Sequence, residues 1–160
     1  MVTIHCTQKL LARIGSPAEV TRPTTTRLGD WHAKPVAIGH QRLILLISAR
    51  SRLPVVMWAR SAKHLAATFP DALAAVLWGL SVDAAAINGE LEATREAVIA
   101  HTNDRSLLGT LNDFAHLLQW QLPDDPGLDL VAVALELAHT PVQPLRPHHF
   151  PDQVTRELLA

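Results

Sequence analysis

Arg42-Leu43-Ile44-Leu45-Leu46-Ile47-Ser48 decides the fold. An unbroken, partly β-branched apolar run of this length, closed by turn residues, reads as a strand buried on both faces. Before it, Gly39-His40-Gln41 makes a turn, and Trp31–Ile38 reads as a second strand. Pro35 has no N–H to give a ladder, so that strand is expected at an edge or at a bulge. After it, Arg50-Ser51-Arg52 makes a polar turn into a further apolar run over 53–59. Strands this close in sequence predict a three-stranded antiparallel meander.

Outward from the meander the pattern changes. Val2–Cys6 alternates and is β-branched at Val2, Thr3 and Ile4, which predicts a short strand. Thr7 stands as N-cap to a helix over Gln8–Ile14, which Gly15 stops. Ser16-Pro17-Ala18-Glu19 has capping-box spacing and predicts a turn or two. Downstream, Thr68-Phe69-Pro70-Asp71 reads as a helix start, followed by Leu73, Val76, Leu77 and Leu80 at helical spacing. A short helix is expected over 81–88, ended by Gly89. Residues 90–101 read two ways: helix by their Glu and Ala content, or a fourth strand at Ala97–His101. The clearest helix covers 106–122, with Leu107, Leu111, Phe114, Ala115, Leu118 and Leu122 on one stripe. A central apolar helix over 129–138, an extended Pro-rich segment over 140–151 and a last helix capped by Asp152 complete the chain. The expected fold class is α+β: a small antiparallel sheet of about four strands, covered by about five helices, in a single domain spanning 1–160.

Composition narrows the class. With 160 residues, 48% hydrophobic and 18% charged, the chain can bury a core without disulfides or metal. No apolar run approaches membrane-spanning length, and the opening residues lack a basic leader and an apolar stretch. Cys6 is the only cysteine, which excludes an internal disulfide and fits a bacterial-type cytosol. Charge is uneven: residues 1–63 hold ten of the 14 basic and only two of the 15 acidic residues. Two segments that attract one another explain this more simply than a nucleic-acid face, because the whole chain is not basic.

The densest polar cluster is His101-Thr102-Asn103-Asp104-Arg105-Ser106, just before the strongest helix. Helix N-terminal amides hold anions, and Arg105 adds a bidentate grip; plain capping by Asp104 or Ser106 is the simpler reading. Asp30 and His32 are two apart and share one strand face, while Trp31 turns to the core. Asn112, His116 and Gln119 align on the outer side of the helix, where a solvated face explains them. The candidate binding pocket is therefore Asp30, Trp31, His32, His101, Asn103, Arg105, Ser106, Asn112 and Asp113. A candidate basic rim runs through Arg42, Arg50, Arg52, Arg60 and Lys63. There is no zinc spacing among the nine histidines, no phosphate loop and no nucleophile elbow, so no metal or cofactor is assigned.

Four blocks carry a resemblance. Ile4-His5-Cys6-Thr7-Gln8-Lys9-Leu10-Leu11, Leu28-Gly29-Asp30-Trp31-His32-Ala33, the stretch 102–114, and Leu137-Ala138-His139-Thr140-Pro141 resemble blocks of small bacterial proteins catalogued as domain of unknown function 6933. The resemblance implies one domain and supplies no activity. It puts Asp30, Trp31, Asn103, Arg105, Asn112 and Asp113 in family-like blocks, which implies that the two regions meet. Ala49-Arg50-Ser51-Arg52 departs from the family's more polar pattern, so a basic rim would belong to this member.

The expected function is a binding, interaction or regulatory accessory domain, with a protein partner or a second copy as occupant. The alternatives are a small hydrolase-like enzyme using an Asp/His/Arg cleft, and phosphate or nucleic-acid binding through the basic part, nucleic acid being the weaker.

Overall fold

A computed structural model describes residues 1–15, 17, 23–143 and 149–160. In chain order the elements are β1 (Val2–Cys6), α1 (Gln8–Ile14), β2 (Trp31–Ile38), β3 (Gln41–Ser48), β4 (Pro54–Trp58), a 3-10 turn (Ala59–His64), α2 (Leu65–Gly79), α3 (Ala84–Thr94), β5 (Ala97–His101), α4 (Arg105–Gln121), α5 (Leu130–Ala138) and α6 (Pro151–Leu158). The α+β class and the meander stand as the sequence predicts. Positions 43–48 of β3 are all buried, as a strand covered on both faces must be.

The sheet departs from expectation in strand number and in strand direction. It has five strands in the order β4-β3-β2-β1-β5, and it is mixed, not antiparallel. β1 pairs parallel with both β2 and β5. Each parallel pair is joined by a long connection containing helices, which such pairing requires. Hydrophobic alternation reports which face a residue occupies and says nothing of strand direction.

This also corrects the place of Pro35. β2 is interior, yet β1 pairs only with Trp31, His32 and Ala33. The Ala33 carbonyl accepts from Thr7 N–H on the β1 side, so the missing N–H of Pro35 faces that same side, beyond the end of β1. The proline thus sits where an interior strand has become a local edge. At the turn, Gly39 has φ +58, as the first position of a II′-type hairpin needs. A Cβ there would collide with the Asp124 carboxylate, since Asp124 accepts from His40 N–H.

Alternation along β2 assigns the two faces. Trp31 lies edge-to-face on Phe69 of α2, with ring centroids 4.9 Å apart. Three residues on, and so on the opposite face, Lys34 donates to Asn112 of α4 at 2.8 Å. Helices α2 and α4 therefore cover opposite faces, and the buried side chains form one contiguous core.

Helix boundaries move for local reasons. α2 begins at Leu65, not near Thr68, because the 3-10 turn feeds straight into it; Thr68 Oγ1 donates to the His64 carbonyl. α3 is capped by Asp83 and runs through Gly89 to Thr94, after which β5 follows; residues 90–101 thus hold both the end of a helix and a strand. Thr7 occupies the N-cap position of α1 but makes no side-chain cap bond. α6 begins at Pro151, one residue before Asp152. The turn expected at 16–19, apart from Pro17, and residues 144–148 of the Pro-rich segment lie outside the described residues. No helix among those described is long and apolar enough to cross a membrane.

Candidate functional site

β1 alternates Val2, Ile4 and Cys6 toward the core with Thr3 and His5 on the other side. In register, His5 stands between Ala100 of β5 and His32 of β2, with Ile47 beyond His32. This row lies on the α4 face. The imidazoles of His5 and His32 stack, with centroids 4.6 Å apart and planes 12° off parallel.

Asp30 anchors the pair. Its Oδ1 accepts from Thr3 N–H at 3.0 Å, and its Oδ2 lies 3.2 Å from His5 Nε2. Burial pushes the Asp30 pKa up, but the bonds from His5 and Thr3 and the nearby histidines outweigh it and hold the group below its usual value. An ionised carboxylate only accepts, so the proton in this bond belongs to His5 Nε2. In neutral His5 the acceptor is then Nδ1.

His32 is buried, and its Nδ1 lies 2.7 Å from Thr102 Oγ1. Desolvation first, and the neighbouring His5 charge second, depress its pKa to about 4. It is therefore neutral at pH 7 and acts as a polar platform beneath His5. Thr3 Oγ1, on the same face, is buried with no hydrogen-bond partner among the described residues.

The wall opposite is the start of α4. Asp104 caps it, accepting from Leu107 N–H at 3.0 Å; that bond foremost holds its carboxyl below the usual range. Arg52 comes in from the β3–β4 turn with φ +60, an uncommon conformation for a non-glycine residue, and is only 8% exposed. It donates to Ser106 Oγ at 3.1 Å and Thr110 Oγ1 at 3.5 Å. Burial lowers its pKa, and the Asp104 charge opposes that shift. Thus His5, Asp30, His32, Thr102, Asp104, Arg52 and Ser106 cluster where α4 leaves β5.

The candidate pocket is only partly assembled. Asp30, His32 and Ser106 enter this cluster. Trp31 turns to the opposite face, as its spacing predicts. His101 pairs with Cys6, one pleat out of phase with the His5 row, and is exposed away from the cluster. Asn103 and Arg105 are exposed. Asn112 is held by Lys34, while Asp113 lines an outward groove with His116, Leu117, Gln119 and Trp120. Gln119 Nε2 donates to the Ala37 carbonyl, so the helix face read as solvated is tied to β2 at two points.

The basic rim does not form as one surface. Arg50 donates to the Thr26 and Arg27 carbonyls, Arg52 turns inward, and Arg60 lies over the Trp58 ring at 5.3 Å. Arg42 bonds the Gly39 carbonyl, and Lys63 is exposed on the 3-10 turn.

Sequence reasoning missed His5 and the inward role of Arg52. The signal for His5 was present: a polar Thr3/His5 face on a strand whose other face is apolar. Arg52 carried no such signal, because a turn arginine reads as solvated until its backbone angle is known. Cys6 is buried, and desolvation pushes its thiol up to about 12, which disfavours the thiolate that a nucleophile needs. Among the described residues, no group of three or more His, Cys, Asp or Glu converges as metal ligands.

Comparisons place the chain. Searches of curated proteins and of solved structures find no match. The family model described as Domain of unknown function (DUF6933) matches residues 3–154, which include every member of the cluster. On that near-complete match, the chain belongs to the DUF6933 family.

Proposed function

We propose that this protein is a small binding domain whose ligand site is the polar cluster between β1 and the start of α4. The observation that carries the reading is the stacked His5–His32 pair with Asp30 on His5 Nε2. A sheet face that needed only stability would hold apolar residues there, since half-buried charged groups carry a desolvation cost. The Asp30 bond fixes the His5 tautomer, and neutral His5 offers Nδ1 to a hydroxyl or acid proton of a ligand. Arg52, whose hydrogen bonds go to Ser106 and Thr110 hydroxyls, adds positive potential for a carboxylate or phosphate end.

The test is a nuclear magnetic resonance screen of small carboxylates, phosphates and polyols against the labelled protein. Binders should shift the amides of His5, His32, Thr102 and Ser106, and His5→Ala should abolish those shifts. Binders that map elsewhere, or that survive His5→Ala unchanged, would contradict the reading.

A second reading rests on Trp120. It is 88% exposed on the outer side of α4, beside a groove of about 630 Å³ lined by Asp113, His116, Leu117 and Gln119. Exposed tryptophan is characteristic of protein-docking surfaces. Light scattering of the native chain and of Trp120→Ser, alone and with captured partners, tests it; unchanged association in the variant removes it.

A further inference from the structure

A second polar feature lies at the far end of β2, outside the histidine cluster. Where β1 ends and α1 begins, a groove of about 250 Å³ opens, lined by Lys9, Arg13, Pro35, Val36, Ala37 and Arg42. Three of these six are cationic and none is acidic. Lys9 and Arg13 stand one helical turn apart on the exposed side of α1, whose buried side is Leu10 and Leu11. Neither forms an ion pair with a described residue, and Arg42 spends one guanidinium N–H on the Gly39 carbonyl.

The backbone adds a donor. Ala33 points its carbonyl to the β1 side, so alternate residues 35 and 37 direct their amide positions the same way. Pro35 has no N–H. The N–H of Ala37 therefore faces the space beyond the end of β1, and Ala37 lines the same groove as the three cations. Like charges gathered without a counter-charge among the described residues that line the groove are unfavourable. Their effect is already felt nearby: Lys34 is depressed by burial first and by Lys9 second.

We propose that this groove binds a small multivalent oxyanion, a phosphate or phosphate-ester group, held by Lys9, Arg13, Arg42 and the Ala37 N–H. A small ligand fits better than a nucleic-acid strand. The groove is short, and the Asp124 carboxylate sits at the adjoining β2–β3 turn, bonded to His40 and Gln41. The other arginines that would extend a phosphate track, Arg50, Arg52 and Arg60, are engaged within the fold.

The experiment titrates the full chain with inorganic pyrophosphate at low salt, followed by calorimetry and amide shifts. Saturable binding should move the amides of Lys9, Arg13, Ala37 and Arg42. The double variant Lys9→Gln with Arg13→Gln changes only exposed side chains; with its melting temperature unchanged, it should weaken binding by about tenfold or more, as loss of charged hydrogen bonds does. Lys63→Gln, an exposed cation elsewhere, should leave affinity unchanged. Equal weakening in the Lys63 control, shifts spread over all cations, or no saturable binding would overturn the proposal. Tighter binding of a single-stranded oligonucleotide than of pyrophosphate would overturn it too, assigning the groove to nucleic acid.

Discussion

His32 shows how a single side chain reports the site. A neutral imidazole in a buried position is tolerated because Thr102 supplies a hydrogen bond, and desolvation, with His5 second, keeps it unprotonated to about pH 4. The unfolded chain takes up that proton near pH 6.5. Between pH 6.5 and about 4 the unfolded state therefore binds a proton that the native state refuses, and stability falls as pH is lowered through that window. The contribution is on the order of 2 to 3 kcal/mol. Denaturant midpoints measured from pH 7 to pH 4 should drop in the native protein and flatten in His32→Gln. A ring-proton titration of His32 with an ordinary midpoint near 6.5 would contradict the burial described. Alternation made part of this legible beforehand: Asp30 and His32 had to share a face, and Trp31 had to oppose them. Helical spacing could not show that Asp113 and Arg105 look away from that face, because their direction depends on how α4 rolls over β2.

Among the elements, those with long apolar runs were readable and those with subtle starts were not. β3 follows from its five aliphatic residues, and α4 from a stripe that runs from Leu107 to Leu118. α3 was cut short at Gly89 because glycine weakens a helix interior by up to about 1 kcal/mol relative to alanine. Asp83 caps that helix, and Ile87 and Glu90 are buried along it, so packing carries it past the glycine. Glu90 accepts from the Arg27 and Leu28 N–H groups and ties α3 to the loop before β2. A Cβ at Gly89 would meet nothing within 4 Å, and its φ is not positive. Gly89→Ala is therefore expected to stabilise the protein by about 0.5 to 1 kcal/mol, seen as a raised denaturant midpoint at unchanged slope. A lowered midpoint would mean that α3 does not run through residue 89 as described.

At the scale of the whole molecule, the acidic part of the sequence reaches the basic part through backbone amides, a histidine and a glutamine rather than through Lys or Arg ion pairs among the described residues. Glu90 meets the backbone at Arg27 and Leu28, Asp124 meets His40 and Gln41, and the Asp104 charge acts on Arg52. The sheet order matters more. The first strand is set between β2 and β5, and that placement alone brings His5 beside His32 and both beside the start of α4. No local pattern encodes it, since strand direction and order come from the long connections and from which edges remain unpaired. The same placement leaves the β2 edge open past Ala33, where the cationic groove lies. Nuclear Overhauser contacts across β1 test this account most directly. It predicts parallel-strand contacts from Ile4 to both Trp31 and Ile99, together with ring-to-ring contacts between His5 and His32. Antiparallel contacts along β1, or its pairing with β4 and no contact between the two imidazoles, would contradict it.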